Sequence, residues 1–407
     1  MNILASILKR ARRFPFIARL YRRMRLKMFG WLQQIESALN PVDLAATYSF
    51  AMHRPYGGEF DARNTPLKTI NWVVPDFAPG SGGHINIFRL IGHLERMGYT
   101  CRIFVTNPCR YTTAEAAAAC IRNHFNPLKA EVAIGADALP PAAITVATSW
   151  HTAYPVRNFR TTLRKCYFIQ DFEPFFFPVG TDYALAEQTY RFGLHGITAG
   201  QWLTDMVTSR YGMSSESIGF SYDRELYRPM PRKRADGRLV FFYCRPVTPR
   251  RGFELGVLAL TEVARQMPET HFVLAGWDAS NYNLHFPYLN AGSVPLKNLA
   301  ELYAECDLAL VLSFTNLSLL PLELMACGCP VVTNRGPNVE WLLNERNAVV
   351  ADASPEALSA AIVDLLRDDR RRRQLAEAGI AFADKTSWEA ESAKVASIFE
   401  RLTNEKK

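Results

Sequence analysis

Residues 313–334 read SFTNLSLLPLELMACGCPVVTN. With LALVLS (308–313) in front, they give a short apolar strand, a polar break, a helix opening at Pro321 and a second strand, PVVTN (330–334). Two apolar strands joined through a helix make a parallel crossover, and parallel sheets are covered on both faces. Proline suits the first helical position, where its missing N–H costs nothing. That puts Leu320 at the N-cap and Glu323 third in the helix. A leucine side chain accepts no hydrogen bond, and Ser318 is the nearest one that could. The opening N–H groups are therefore expected to be free for an anion, above all a phosphate. Glu323 then either complements the helix dipole or pairs with hydroxyls such as those of a nucleotide ribose.

The same alternation runs outward in both directions. Upstream, TINWVVPDF (69–77), CRIFVT (101–106), ITVATS (144–149), KCYFIQD (165–171) and GITAG (196–200) read as buried strands, with a helix in GGHINIFRLIGHLERMG (82–98) and others near 114–125, 182–193 and 200–211. A Pro- and charge-rich break, YRPMPRKRADG (227–237), follows. Then RLVFFYC (238–244), HFVLAG (271–276), LALVLS, PVVTN and NAVVAD (347–352) alternate with helices near 253–267 and 297–306, after Pro321 and from Pro355. The expected fold is α/β with two doubly wound, Rossmann-like domains facing a cleft. Their expected spans are 67–230 and 236–385, with a C-terminal helix over 386–407. In such folds ligands lie at the carboxyl ends of the strands.

The totals agree with two cores, since 407 residues exceed the ~250–300 that one core serves. Apolar residues make up 48% and charged residues 21%, as in a soluble globular chain. The net charge of +8 is localised: residues 1–40 carry nine Lys or Arg against the single acid Glu36, and the remainder balances. A nucleic-acid partner is therefore not indicated for the body of the protein. The basic residues of 1–40 alternate with Ile3, Leu4, Ile7, Phe14, Ile17, Leu20 and Trp31, with no apolar run long enough to span a bilayer and no cleavable signal. Residues 1–66 are expected to be a basic amphipathic helical extension, broken at Pro15, with 1–40 lying on an anionic membrane surface or packed on the body. The eight cysteines show no metal or redox spacing and read as reduced, in a cytoplasmic protein peripheral to the inner face of the membrane.

Three clusters fall at expected strand ends. In PDFAPGSGGHINIF (75–88), Gly80, Gly82 and Gly83 allow positive φ and close approach of a ligand, with His84 beside them. The loop lacks both the dinucleotide fingerprint and the GK[ST] of a P-loop. In CRPVTPRRGFELG (244–256), Arg245, Arg250 and Arg251 offer guanidinium forks that match a diphosphate. The third cluster is the opening stretch with Glu323.

These residues also carry a resemblance. The segment 313–343, with FYCRPVTPRRG (242–252) and GFSYDRELYRP (219–229), resembles the retaining GT-B glycosyltransferases of family 4. Residues 71–99 and YFIQDFEPFFFPVGTDYALAEQTYRFGLHGI (167–197) are similar to the WsaF-type rhamnosyltransferases that build bacterial polyrhamnose chains. The resemblance covers about residues 65–390 and implies a GT-B fold with an N-terminal acceptor domain and a C-terminal nucleotide-sugar domain. It implies Arg245 and Arg251 as the catalytic clamp on the diphosphate, and Arg250, Thr315, Asn316, Leu317, Ser318 and Glu323 as donor-binding. Glu323 takes the second place of the family's glutamate pair, and Thr315 stands in the first. Asn316 and Ser318 replace the usual glycines, leaving the backbone N–H groups of 316–318 to serve the donor. Glu340 matches a structural cap. Gln170 stands where histidine is common, and Gly82, Gly83, His84, His151 and Asp171 fall on the acceptor or cleft side.

The implied activity is retaining, metal-independent transfer of L-rhamnose from dTDP-L-rhamnose, with no cofactor, to a lipid-linked glycan of a bacterial surface polysaccharide. The alternatives are a UDP- or GDP-sugar donor, or a non-catalytic GT-B scaffold suggested by the absent first glutamate.

Overall fold

The computed structural model describes residues 43–234 and 237–404. The basic segment 1–40 and its expected membrane contact lie outside the described residues. The chain divides at Met52. In the first unit the described part is a helical turn, Leu44–Thr47, capped by Asp43, and a short 3-10 turn, Ser49–Ala51. The unit from His53 onward holds both sheets.

The first sheet is built from β1 (Thr69–Pro75), β2 (Thr100–Thr106), β3 (Glu131–Ile134), β4 (Ala142–Ala147), β5 (Thr162–Ile169), β6 (His195–Ala199) and β7 (Ser215–Ile218), in the order β3-β2-β1-β4-β5-β6-β7. Every pairing is parallel, with Trp72 opposite Ile103 on one side and Val146 on the other. The second sheet holds β8 (Arg238–Tyr243), β9 (Thr270–Ala275), β10 (Tyr288–Gly292), β11 (Leu308–Val311), β12 (Val331–Asn334) and β13 (Val349–Ala351), in the order β10-β9-β8-β11-β12-β13. Both orders reverse beside the first strand, which places the loops after β1 and β4, and after β8 and β11, around the crevices where ligands enter.

The covering helices follow from burial on both faces. They are α1 (Gly82–Arg96), α2 (Ala114–His124), α3 (Trp150–Asn158), α4 (Thr181–Gln188) and α5 (Gln201–Tyr211) in the first domain. In the second they are α6 (Phe253–Gln266), α7 (Leu296–Glu305), α8 (Leu320–Ala326), α9 (Pro337–Glu340), α10 (Pro355–Arg367) and α11 (Asp369–Ala383). The helix expected near 182–193 is shorter, because α4 ends at Gln188 and tightens into a 3-10 turn, Thr189–Arg191.

The last helix, α12 (Trp388–Asn404), returns to the first domain. Val395, Ile398, Phe399 and Leu402 join the core of Ile70, Trp72 and Cys101. Tyr99 donates to the Ala396 carbonyl at 3.3 Å, the Arg164 guanidinium to that of Leu402 at 2.6 Å, and the Gly219 N–H to Glu391 at 2.7 Å. The linker is pinned to the second domain by Arg232 and Arg234, which grip opposite oxygens of the buried Asp307 carboxylate at 2.9 and 2.8 Å. Six of the eight cysteines are buried, and none is in a disulfide.

Candidate active site

The arginine-bearing loop leaves β8 and enters α6 through a 3-10 turn, Pro249–Arg251. Gly252 closes the turn at φ +60°, where an added Cβ would lie 2.9 Å from Phe314 and 3.2 Å from Leu312. Only glycine fits this left-handed position against the loop after β11. Arg245 donates to the Gly276 carbonyl at 3.3 Å, and its guanidinium lies 5.9 Å from the centre of the exposed Trp277 ring. Arg251 donates through one nitrogen to Ser313 Oγ at 2.7 Å and to the Asn316 carbonyl at 3.1 Å. Arg250 lies over the Phe176 ring at 3.9 Å and 3.8 Å from Asp171 Oδ2. Its buried Nε has no hydrogen-bond partner among the described residues. The three guanidinium groups thus differ: Arg251 braces a loop by hydrogen bonds, while Arg250 is held to Asp171 by an ion pair alone.

The loop after β11 is knitted from within its own domain. The Ser313 N–H donates to Asn334 Oδ1 at 2.8 Å, and the Asn338 amide donates to the carbonyls of Ser313 and Thr315 at 2.9 and 2.6 Å. Asn316 is fully buried, donating its side-chain amide to the carbonyls of Gln170 and Ala199 and accepting from Trp341 Nε1 at 2.8 Å. One sequence-based expectation is corrected here. The Asn316 N–H is not free for phosphate, because it donates to Asp171 Oδ1 at 2.8 Å; the Thr315 hydroxyl donates to Asp171 Oδ2 at 2.9 Å. The Leu317 side chain, 3% exposed, packs in the core.

α8 begins one residue earlier than expected. Leu319 is the N-cap, Pro321 the second helical residue and Glu323 the fourth, its N–H donating to the Leu319 carbonyl at 3.1 Å. Among the described residues no side chain, Ser318 included, gives this end a capping hydrogen bond. Burial raises the Glu323 carboxyl to about 7, against the pull of the Arg89 charge and the Tyr227 hydroxyl. Glu323 therefore sits beside residues of α1 and the interdomain crossover as well as at the head of α8. Glu340 acts as a local cap, accepting the Gly336 N–H at 3.0 Å.

On the facing domain, Gly80 alone of the three glycines uses the positive φ open to them, at +78°, while Gly82 and Gly83 are already helical. Gly83 is small for a neighbour rather than a ligand: a Cβ there would lie 3.3 Å from Gln170 Nε2, which donates to the Gly83 carbonyl. His84 is withdrawn from the cleft role expected of it. It is 8% exposed; its Nε2 donates to the Pro75 carbonyl at 3.2 Å, which leaves Nδ1 to accept from Ser81 Oγ at 2.9 Å. Burial lowers its pKa to about 4, so the ring is neutral. His151 lies on the first turn of α3, its ring 3.5 Å from that of Trp150.

Asp171, at the end of β5, is the acid that crosses the cleft. Burial raises its pKa, and Arg251, the Asn316 N–H and Arg250 oppose that rise. Two residues on, Glu173 is buried too, accepting from the Trp150 N–H at 2.8 Å and the Tyr167 hydroxyl at 3.1 Å; burial raises it to about 7. The structure therefore brings Arg250, Arg251, Thr315, Asn316 and Asp171 together, with Gly83 joined to them through Gln170. Trp277 and Phe176 belong to this region but were not singled out from the sequence, and Gln170, noted there only as standing where histidine is common, ties the Asn316 amide to the start of α1. Trp277 could have been found, since an indole just past a strand-ending Ala-Gly is a large apolar group at a ligand-binding edge. Phe176 gives no such signal within FFF.

Three arginines follow one strand end, opposite a second doubly wound domain, and guanidinium groups so placed have the chemistry to meet an anion such as a diphosphate. Comparisons with known proteins bear on which one. The family models for the WsaF N-terminal and C-terminal domains match residues 138–199 and 238–363. A Myxococcus xanthus protein named O-antigen biosynthesis protein RfbC is 34% identical over 81% of this chain, which spans 27% of that relative's length. A GDP-mannose-dependent phosphatidylinositol monomannoside mannosyltransferase of Mycolicibacterium smegmatis is 26% identical over 47% of this chain and 58% of its own. Among solved structures, sucrose-phosphate synthase of Thermosynechococcus elongatus and Anabaena HepE in complex with UDP and glucose each superpose with a TM-score of 0.62 at 14% identity, over 82% of this chain and 99% and 100% of theirs. That likeness shows the GT-B fold.

Proposed function

The chain is a WsaF-type member of the GT-B glycosyltransferases, and from that premise we propose that it transfers a sugar from a nucleotide-diphosphate donor to a growing bacterial surface polysaccharide. The observation that carries this reading is the arginine cluster, Arg245, Arg250 and Arg251, after β8 at its carboxyl end, facing the other domain through the ion pair of Arg250 with Asp171. The finer assignment is L-rhamnose from dTDP-L-rhamnose, with retention of configuration, no metal ion and a lipid-linked acceptor of O-antigen, rhamnan or S-layer type. The WsaF match and the RfbC relative support the polysaccharide class. A GDP- or UDP-sugar is the second reading, favoured by the mannosyltransferase relative and the UDP-bound neighbour.

In the proposed mechanism the guanidinium groups stabilise the departing diphosphate while closure of the two domains positions the acceptor hydroxyl. Glu323, on the first turns of α8, is the carboxylate assigned to the ribose hydroxyls. The basic segment 1–40 would hold the enzyme at the inner membrane face, beside its acceptor.

The test is the thermal stability of the purified protein with dTDP, UDP, GDP or no nucleotide, followed by turnover of the sugar nucleotide that stabilises most. A ligand at about 100 times its Kd adds ~2.7 kcal/mol to the folded state. A dTDP shift above the others supports the rhamnose reading, and a larger GDP or UDP shift replaces it with the second. Absence of any shift, with no turnover, refutes glycosyl transfer.

A further inference from the structure

The Asp171 carboxylate takes up hydrogen-bond donors from both domains. Oδ1 accepts the N–H groups of its own neighbour Phe172 and of Asn316, each at 2.8 Å; Oδ2 accepts the Thr315 hydroxyl at 2.9 Å. The far side of the same short loop is held by Arg251, which donates to the Asn316 carbonyl and to Ser313 Oγ. One peptide segment, 313–316, is therefore gripped from the first domain by a carboxylate and from the second by a guanidinium proposed to meet the donor. Asp171 is itself anchored: the adjacent Gln170 donates to the Gly83 carbonyl at 3.0 Å and accepts from Asn86 at 2.9 Å, tying it to the start of α1. Arg250 faces the same carboxylate, its Nε 3.8 Å from Oδ2, an ion pair without a hydrogen bond. A buried acid bonded across a cleft keeps its favourable bonds only while the cleft is closed, because removing the partner loop leaves a desolvated charge.

We propose that Asp171 is a positioning residue that couples closure of the cleft to the orientation of Arg251: docking on Thr315 and Asn316 sets the 313–316 loop, and the loop sets the guanidinium that meets the donor diphosphate. This rests on the glycosyltransfer reading for its role in turnover, and on geometry alone for the clasp. Asp171 touches no reacting atom in this scheme. Its removal therefore lowers transition-state stabilisation more than donor binding, which Arg245 and the rest of the pocket still provide.

The experiment uses the full chain with Asp171→Ala and Thr315→Val, and reads amide hydrogen exchange as well as kinetics. In Asp171→Ala, which leaves no side-chain acceptor, the Asn316 amide exchanges ~10–100-fold faster, while the Ser313 and Phe314 amides, bonded to Asn334 and to the Arg250 carbonyl within their own domain, stay protected. With the sugar nucleotide that the wild type turns over, kcat falls ~30-fold or more while the donor KM stays within ~3-fold. Thr315→Val removes only the hydroxyl bond, keeps the Asn316 amide protected and lowers kcat ~3–10-fold. That second variant carries the test if Asp171→Ala loses protection throughout and so fails to fold. Unchanged exchange at Asn316 in a folded Asp171→Ala overturns the proposal, as does a wild-type kcat in both variants. If the exchange results hold but the wild type turns over no sugar nucleotide, the glycosyltransfer reading falls and the clasp stands.

Discussion

Replacing Glu173 with glutamine should stabilise the protein at pH 8 far more than at pH 5. Glu173 is 6% exposed, and its oxygens accept from the Trp150 N–H and the Tyr167 hydroxyl. Those bonds do not offset the loss of hydration, and burial raises its pKa from 4.5 to about 7. For an acid raised on folding, stability is fully present below the unfolded pKa and is lost as pH rises through the folded one. The window therefore runs from about 4.5 to 7. Between pH 5 and pH 8 the ionised form costs about 2–3 kcal/mol, at ~1.36 kcal/mol per pKa unit. A neutral glutamine of the same shape does not pay that penalty. With an unfolding entropy of ~2.1 cal/mol/K per residue over roughly 350 residues, the cost corresponds to about 3–4 °C in Tm. The assay is paired thermal melts of wild type and Glu173→Gln at both pH values. Subtracting the two proteins cancels the titrating groups that do not interact with Glu173, while Asp171, whose charge bears on Glu173, shifts with it. A Tm difference that is the same at pH 5 and pH 8 refutes the reasoning, since Glu173 then does not titrate in this window.

Other expectations follow from the same contacts. Arg245→Ala should lower kcat ~100-fold or more while leaving acceptor affinity within a few-fold, measured by steady-state kinetics with donor and acceptor varied separately; loss confined to acceptor binding contradicts the electrostatic role. Asn316→Ala should destabilise by about 2–4 kcal/mol in urea titrations, because it takes the side-chain donor from the buried Gln170 and Ala199 carbonyls and one of two acceptors from the Trp341 N–H, which keeps only the Asn338 carbonyl at 3.1 Å. Removing residues 1–40 should abolish sedimentation with anionic vesicles yet preserve transfer to soluble acceptors; unchanged sedimentation rules out a membrane role for that segment.

Much of the fold was legible because its strands are short apolar runs. VVP after TINW, VFF after RL, and VV before TN each announce a strand buried on both faces, and helices of the right length separate them. The end of α8 was misplaced by one residue, since a proline is tolerated at the second helical position as well as the first. The place of the arginines just past a strand could be read from the sequence, but not the contacts of Arg251 with Ser313 and Asn316 or of Arg250 with Asp171. The roles of Thr315 and Asn316 could not, because they depend on Asp171, 144 residues away from Thr315 and in another domain. Local sequence shows that a loop is polar; it does not show which distant acid satisfies it. His84 misled for a related reason: beside a glycine loop it resembles a ligand, but the Pro75 carbonyl and Ser81 hydroxyl claim both its nitrogens.

The return of α12 to the first sheet has a consequence for synthesis. The strands β1–β7 are all translated by Ile218, but the helix that covers Trp72 and Ile70 begins about 170 residues later. At ~5–20 residues per second, the first domain waits roughly 10–30 s on the ribosome with part of its apolar face uncovered. A second complete sheet is made during that interval. The nascent chain is thus most exposed to chaperones and to aggregation after the first domain has been made, and a stop codon anywhere before Trp388 injures the domain made first.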